Sequence, residues 1–196
     1  MLDLLNSLAV SFDLPILEWI QANLQSPFMD KFMPFITVFG NGGIFWIAWA
    51  VLLILFPKTR KTGLGMGFAL IMGLIVCNLI LKPGVARPRP YDMQEELGVM
   101  INLLVDRQHD FSFPSGHTIA SFEACTVLML GDKRMGIPAT ILAILIAFSR
   151  LYLYVHYPTD VIVSVILGTL FALIGNALAG LIAPKLGAGK KGKYQA

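Results

Sequence analysis

The sequence predicts an all-α integral membrane protein: a bundle of about five transmembrane helices preceded by an N-terminal amphipathic interfacial segment. Three observations carry that prediction. Hydrophobic residues make up 56% of the 196-residue chain and charged residues only 14%, a balance outside that of water-soluble domains. Mean hydropathy is correspondingly high, at +0.72. The apolar residues also fall in uninterrupted runs, and a helix needs about 20 such residues to cross the hydrocarbon layer.

Residues 1–34 mix apolar side chains with Asp3, Asp13, Glu18 and Asp30, and Pro15, Pro27 and Pro34 divide the stretch into pieces too short to span. We read it as one or two amphipathic helices lying in the interface. The opening MLDLLNSLAV has neither a basic start nor a small-residue cleavage site, so it does not read as a signal peptide. The transmembrane bundle occupies residues 35–183. Its runs cover residues 35–56, 62–81, 118–130, 137–155 and 161–183, the third being short and carrying Glu123. An acid inside a span is expensive and often functional. Residues 184–196 form a basic tail. Cys77 and Cys125 lie within apolar runs, where a small buried thiol is expected and neither a disulfide nor a thiolate metal site. Gly168, Gly175 and Gly180 in the last run are small enough to admit a neighbouring helix, from this bundle or a partner.

Orientation follows from the cations. Lys58, Arg60, Lys61, Lys133, Arg134, Lys185, Lys190, Lys191 and Lys193, nine of the fifteen, fall on one face of the five-span arrangement, which the positive-inside rule makes cytoplasmic. The C-terminus is then cytoplasmic. Parity gives the opposite face three polar clusters: KPGVARPRP (residues 82–90) after the second run, PSGH (114–117) before the third, and SRLYLYVHYPTD (149–160) between the fourth and fifth. All three are expected at the extracytoplasmic surface.

Those clusters hold the residue types that phosphoryl transfer requires. A phosphoryl group in flight spreads negative charge over its oxygens, so catalysis rests on fixed cations and donors around it. Lys82, Arg89 and Arg150 supply charge, the two arginines as planar forks and the lysine as a point charge. Ser115 adds a hydroxyl and Gly116 an approachable backbone N–H. His156 has Asp160 four residues on, and a carboxylate that takes the Nδ1 proton leaves Nε2 as a lone pair for attack on phosphorus. His117 has no acid within five positions and takes the complementary role of proton donor to the leaving oxygen. Pro158 argues against a continuous helix between His156 and Asp160; Thr159 or Asp160 is expected to cap the fifth span. Arg87 and Arg107, outside the residues given these roles, could hold the substrate's distal phosphate or contact headgroups and are read as headgroup contacts, and His109 is read as a solvated loop residue.

Lys82 with Arg89-Pro90, Pro114-Ser115-Gly116-His117, and Ser149-Arg150 followed by His156 and Asp160 resemble the three signature motifs of the type 2 phosphatidic acid phosphatase superfamily, with eleven specified identities in order. The resemblance implies a metal-independent phosphatase that works through a phosphohistidine on His156, with no cofactor. It implies a lipid phosphate substrate held at the bilayer, with undecaprenyl pyrophosphate first, then phosphatidic acid and phosphatidylglycerol phosphate. The bilayer and that lipid are the expected partners; nucleic acid is not. Hydrolysis of a soluble phosphoester, transfer of the phosphoryl group to a lipid acceptor, and an inactive lipid-binding role are the competing readings.

Overall fold

The computed structural model describes residues 2–186, and every regular element among them is helical. The N-terminal segment comprises α1 (Leu2–Leu8), a π turn over Ala9–Asp13 and α2 (Leu14–Leu24). Pro15 starts α2 rather than breaking it, because the first turn of a helix needs no N–H there. Leu14, Leu17 and Ile20 are buried against a cluster that includes Tyr152, Tyr154 and Tyr157, while Trp19 on the other face is exposed. The amphipathic pattern therefore has its apolar stripe on protein.

The second piece differs from expectation. Helix α3 (Met29–Val38) runs through Pro34, a residue the sequence marks as an interruption. Proline removes one backbone bond, and a helix packed against a neighbour, here α9 (Lys133–Tyr152), tolerates that loss. A tight turn over Asn41–Gly43 then leads into α4 (Ile44–Leu55), with Gly42 and Gly43 at φ of 57° and 66°, where a side chain would be strained.

Helix α5 (Arg60–Gly73) passes into π geometry over Leu74–Leu81 and ends in a single turn, α6 (Lys82–Val85). After α7 (Pro90–Glu96) and an irregular connection come α8 (Gly116–Gly131), α9, α10 (Pro158–Ile182) and a terminal turn over Ala183–Leu186. Among the described residues, four helical runs are long and apolar enough to cross a membrane: Met29–Leu55, Arg60–Glu96, Lys133–Tyr152 and Pro158–Leu186. Helix α8 has 16 residues, about 24 Å of length. It is the central element, packed against α5, α9 and α10.

Lipid tails are as apolar as leucine, so packing within a bilayer rests on close approach and hydrogen bonds more than on expulsion of water. The contact between α5 and α10 shows how. A Cβ at Gly175 would stand 2.6 Å from the Gly65 carbonyl and 2.9 Å from the Ala69 nitrogen, so the two backbones touch only because that side chain is missing. Across the bundle, Trp46 Nε1 donates to Ser121 Oγ at 3.0 Å, and Ser121 Oγ donates to the His117 carbonyl at 2.7 Å. Outward-facing Ile71, Leu79, Ile141, Ile166 and Leu181 are exposed, as lipid-facing residues should be. Of the basic tail, Lys190, Lys191 and Lys193 lie outside the described residues.

Candidate active site

The π segment before Lys82 delivers that lysine to the end of the second span, and Ala86, at φ 52°, turns the chain sharply after it. Arg89 then caps α7 in extended geometry and is 2% exposed. Its Nη1 donates to the Val155 carbonyl at 2.7 Å and faces His156 Nε2 at 3.4 Å. An arginine N–H can only donate, so the nitrogen it faces carries the lone pair. This places the proton of neutral His156 on Nδ1.

The His156 loop is built backward from α10. Pro158 occupies the first turn, Tyr157 is the cap, and Asp160 accepts from the Tyr157 N–H at 3.1 Å. The cap is therefore two positions before Thr159 and three before Asp160, with Asp160 bonding back to it. Asp160 Oδ2 lies 3.5 Å from His156 Nδ1, and the Ser112 hydroxyl donates to that same oxygen at 2.5 Å. The carbonyl of Arg150 accepts from the N–H groups of Val155 and His156 at 3.2 and 3.3 Å. Tyr154, at φ 60°, is held in that strained conformation with its hydroxyl accepting from Gln94 at 3.1 Å.

Electrostatics favour the neutral imidazole. Burial, then the positive charges of Arg89, Arg150 and Lys82, hold His156 well below the usual histidine range. Asp110 answers some of that charge. Its carboxylate pairs with both Lys82 Nζ and Arg89 Nη2, and its carbonyl accepts from Arg89 Nε at 2.9 Å. Partial burial would raise the Asp110 pKa, but Lys82 and Arg89 outweigh it and lower it to about 2.

His117 stands in the first turn of α8, where Nε2 lies 2.8 Å from Asn41 Oδ1. The Ser115 hydroxyl caps that helix, accepting from Thr118 N at 3.5 Å and meeting Thr118 Oγ1 at 3.0 Å. The first N–H groups of such a helix have no partner within it and favour an anion. Gly116 leaves their approach open: a Cβ there would meet only Asn78, at 3.3 Å. A cavity of about 580 Å³ starts at Lys82, Asp110, Gly116 and His117 and continues between α4, α5 and α8 past Ile47, Val51, Leu70 and Leu74. One end is polar and the remainder is largely apolar.

The PAP2 superfamily profile matches residues 62–180, well over half of the chain. The chain belongs to the PAP2 superfamily. It is 32% identical over 161 residues to an undecaprenyl-diphosphatase of Sulfolobus acidocaldarius, covering 82% of this chain and 75% of that protein. It is 30% identical to the undecaprenyl-diphosphatase BcrC of Bacillus subtilis, covering 76% and 77%. The crystal structure of Aquifex aeolicus LpxE superimposes with a TM-score of 0.66 at 27% identity, covering 84% of this chain and 94% of that one. This PAP2 protein is thus a membrane phosphatase that acts on lipid phosphates.

Within the PAP2 site, Lys82, Arg89, His156 and Asp160 form one connected set through Asp110 and Ser112, and His117 and Gly116 share the cavity wall with Lys82. Besides Lys82 and Arg89, which pair with Asp110, two further predicted phosphate ligands are engaged with protein. Arg150 Nη1 donates to Thr37 Oγ1 at 2.6 Å, leaving Nε without a partner, and Ser115 serves its own helix. Sequence reading missed Asp110, Ser112 and Asn41, polar loop residues whose spacing carries no signal. It also misplaced Arg87. That residue is fully buried between Asp13 and Asp160, with no surface left for a headgroup to touch, because two carboxylates compensate its charge there.

Proposed function

We propose that this phosphatase removes the terminal phosphate of undecaprenyl diphosphate through a phosphohistidine on His156. The observation that carries the reading is the two-sided placement of that ring: Nε2 faces the Arg89 cation at 3.4 Å while Nδ1 faces the Asp160 carboxylate at 3.5 Å. Lys82, Arg89 and Arg150 hold the phosphoryl oxygens, with Ser115 and the Gly116 N–H completing the cradle. Nε2 attacks the terminal phosphorus, the N–P bond forms as the bridging P–O bond breaks, and His117 gives its proton to the departing lipid monophosphate. Water then attacks the phosphohistidine, His117 takes the water's proton, and inorganic phosphate leaves with the imidazole restored. The apolar cavity beyond Lys82 and His117 is where the first part of the lipid tail is accommodated.

The proposed arrangement has residues 35–183 as the catalytic bundle, with α8 as its third and central crossing. Residues 1–34 lie across the site end, and residues 184–196 form a cytoplasmic tail. The site faces the extracytoplasmic side. Support for that side comes from charge: Lys58, Arg60, Lys61, Lys133, Arg134 and Lys185 fall at the ends of their helices opposite His156, and Arg60 donates to the Leu186 carbonyl at 2.6 Å.

Phosphate release from undecaprenyl diphosphate, phosphatidic acid and a water-soluble phosphoester, measured in excess chelator, tests the reading. The expected result is turnover of the prenyl diphosphate above the other two, lost in His156→Ala and His117→Ala. Preference for the soluble ester, or dependence on a divalent ion, would overturn it.

A further inference from the structure

Arg87 joins the N-terminal segment to the start of α10. Its Nη2 is 2.8 Å from Asp13 Oδ2, its Nη1 is 2.5 Å from Asp160 Oδ1, and all three side chains are fully buried. The guanidinium also lies 3.7 Å from the centre of the Tyr157 ring and donates to Thr159 Oγ1 at 2.8 Å and to the Leu5 carbonyl at 2.9 Å. Asp13 in turn accepts from Thr159 N at 2.8 Å and Thr159 Oγ1 at 2.7 Å, so it grips the first turn of α10 beside Asp160. The N-terminal segment thereby reaches the residue that supports His156.

The charges in this triad do not simply cancel. Arg87 paired with Asp160 alone would be neutral, and the carboxylate behind His156 would lose much of its hold on the ring. Asp13 returns one negative charge to the group. That matters because the rest of the surroundings are positive: Lys82 from the second span, Arg89 from α7 and Arg150 from α9 bear on His156, with Asp110 from the connecting loop as the other countercharge. When Nε2 bonds phosphorus the ring becomes cationic, and the net charge on the Nδ1 side decides how well that state is tolerated.

We infer that Asp13 is a positioning residue for phosphoryl transfer, neutralising Arg87 so that the full charge of Asp160 bears on His156. The inference rests on the assignment of His156 as nucleophile. Its test compares Asp13→Asn, Asp13→Glu and Arg87→Gln with the native chain on undecaprenyl diphosphate and on phosphatidic acid, with inorganic phosphate as competitive inhibitor. The Asp13→Asn change keeps the shape but not the charge, so kcat should fall by about tenfold or more while KM and phosphate inhibition stay within about twofold. The acid limb of the pH–rate profile should move to lower pH in Asp13→Asn, which removes a negative charge, and to higher pH in Arg87→Gln, which removes a positive one. Asp13→Glu should recover most of kcat. An Asp13→Asn kcat within about twofold of native would overturn the inference. So would limbs that move in one direction, or loss of phosphate inhibition together with kcat, through unfolding or otherwise, which makes the segment packing alone. His156→Gln is the separate check on the nucleophile: if it keeps turnover, that assignment fails whatever Asp13 does, and this inference fails with it.

Discussion

Asp160 and His156, four residues apart in sequence, face each other across 3.5 Å although no helix connects them: the imidazole ends an irregular loop and the carboxylate belongs to the first turn of α10. The carboxylate also accepts from Ser112, Arg87 and the Tyr157 N–H, which fix its orientation toward Nδ1. Asp160→Asn would keep the shape and present an amide where a proton acceptor is needed. We expect kcat to fall by about 10² to 10⁴ while competitive inhibition by inorganic phosphate persists, since the cradle is untouched. Steady-state phosphate release with the inhibition constant measured in parallel decides this, and equal loss of both would show that Asp160 acts only on the fold.

The depressed pKa of His156 has a defined sign in two measurements. Burial and the three cations disfavour its protonated form, so the neutral nucleophile persists as pH falls past 6.5 and the acid limb of kcat/KM should lie well below that value. For stability, the unfolded histidine takes up a proton near pH 6.5 that the folded one refuses, so the folded state should lose stability as pH drops from about 6.5 toward the folded value. Thermal unfolding in detergent across that range should show the native chain losing more than His156→Gln. A limb at 6.5 or above would contradict the electrostatic account.

Asp110 holds the two cations that the proposed mechanism assigns to an incoming phosphate. Its carboxylate pairs with Lys82 and Arg89, two of the three proposed phosphate ligands, so substrate must displace it. Asp110→Asn should therefore lower KM and tighten inhibition by inorganic phosphate, each by about three- to tenfold, with kcat less affected. The same pairing holds the carboxyl at about pKa 2, below its usual value, so the contact is present above about pH 4 and is lost as pH falls through 2. Weaker phosphate inhibition in the variant would mean that Asp110 organises the cradle instead of competing for it.

The fold class and most of the candidate site were legible because membrane burial and phosphate chemistry both leave strong marks in sequence. Apolar runs placed α9 and α10 to within a few residues, since the bilayer sets their length, whereas the run over residues 35–56 takes in the end of α3, the Asn41–Gly43 turn and α4, and that over 62–81 takes in α5 and the π stretch after it. The helix containing Glu123 was legible over residues 118–130, but not its place at the centre of the bundle, where the carboxyl lies against Gly73 with Oε1 unpartnered. The π stretch before Lys82 was invisible because it has the same apolar composition as the helix it continues. Asp13 and Arg87 were out of reach for another reason. Their meaning lies in a contact between residues 74 positions apart, and no local period encodes it.

The last prediction separates close packing from helix propensity within α5 and its neighbour. At Gly175 a Cβ would press on the Gly65 carbonyl at 2.6 Å, a backbone atom that cannot rotate away, so Gly175→Ala must force α5 and α10 apart. Such overpacking costs typically about 1–3 kcal/mol. Gly67, on the same α5, has nothing within 4 Å of the position a Cβ would take. Gly67→Ala should therefore gain roughly 0.5–1 kcal/mol from the restricted unfolded chain. Thermal midpoints in one detergent should move in opposite directions, Gly175→Ala down and Gly67→Ala up. Because α8 rests on both α5 and α10, activity in Gly175→Ala should fall along with stability. Two midpoints that shift together would mean that the approach of these helices is not what limits their packing.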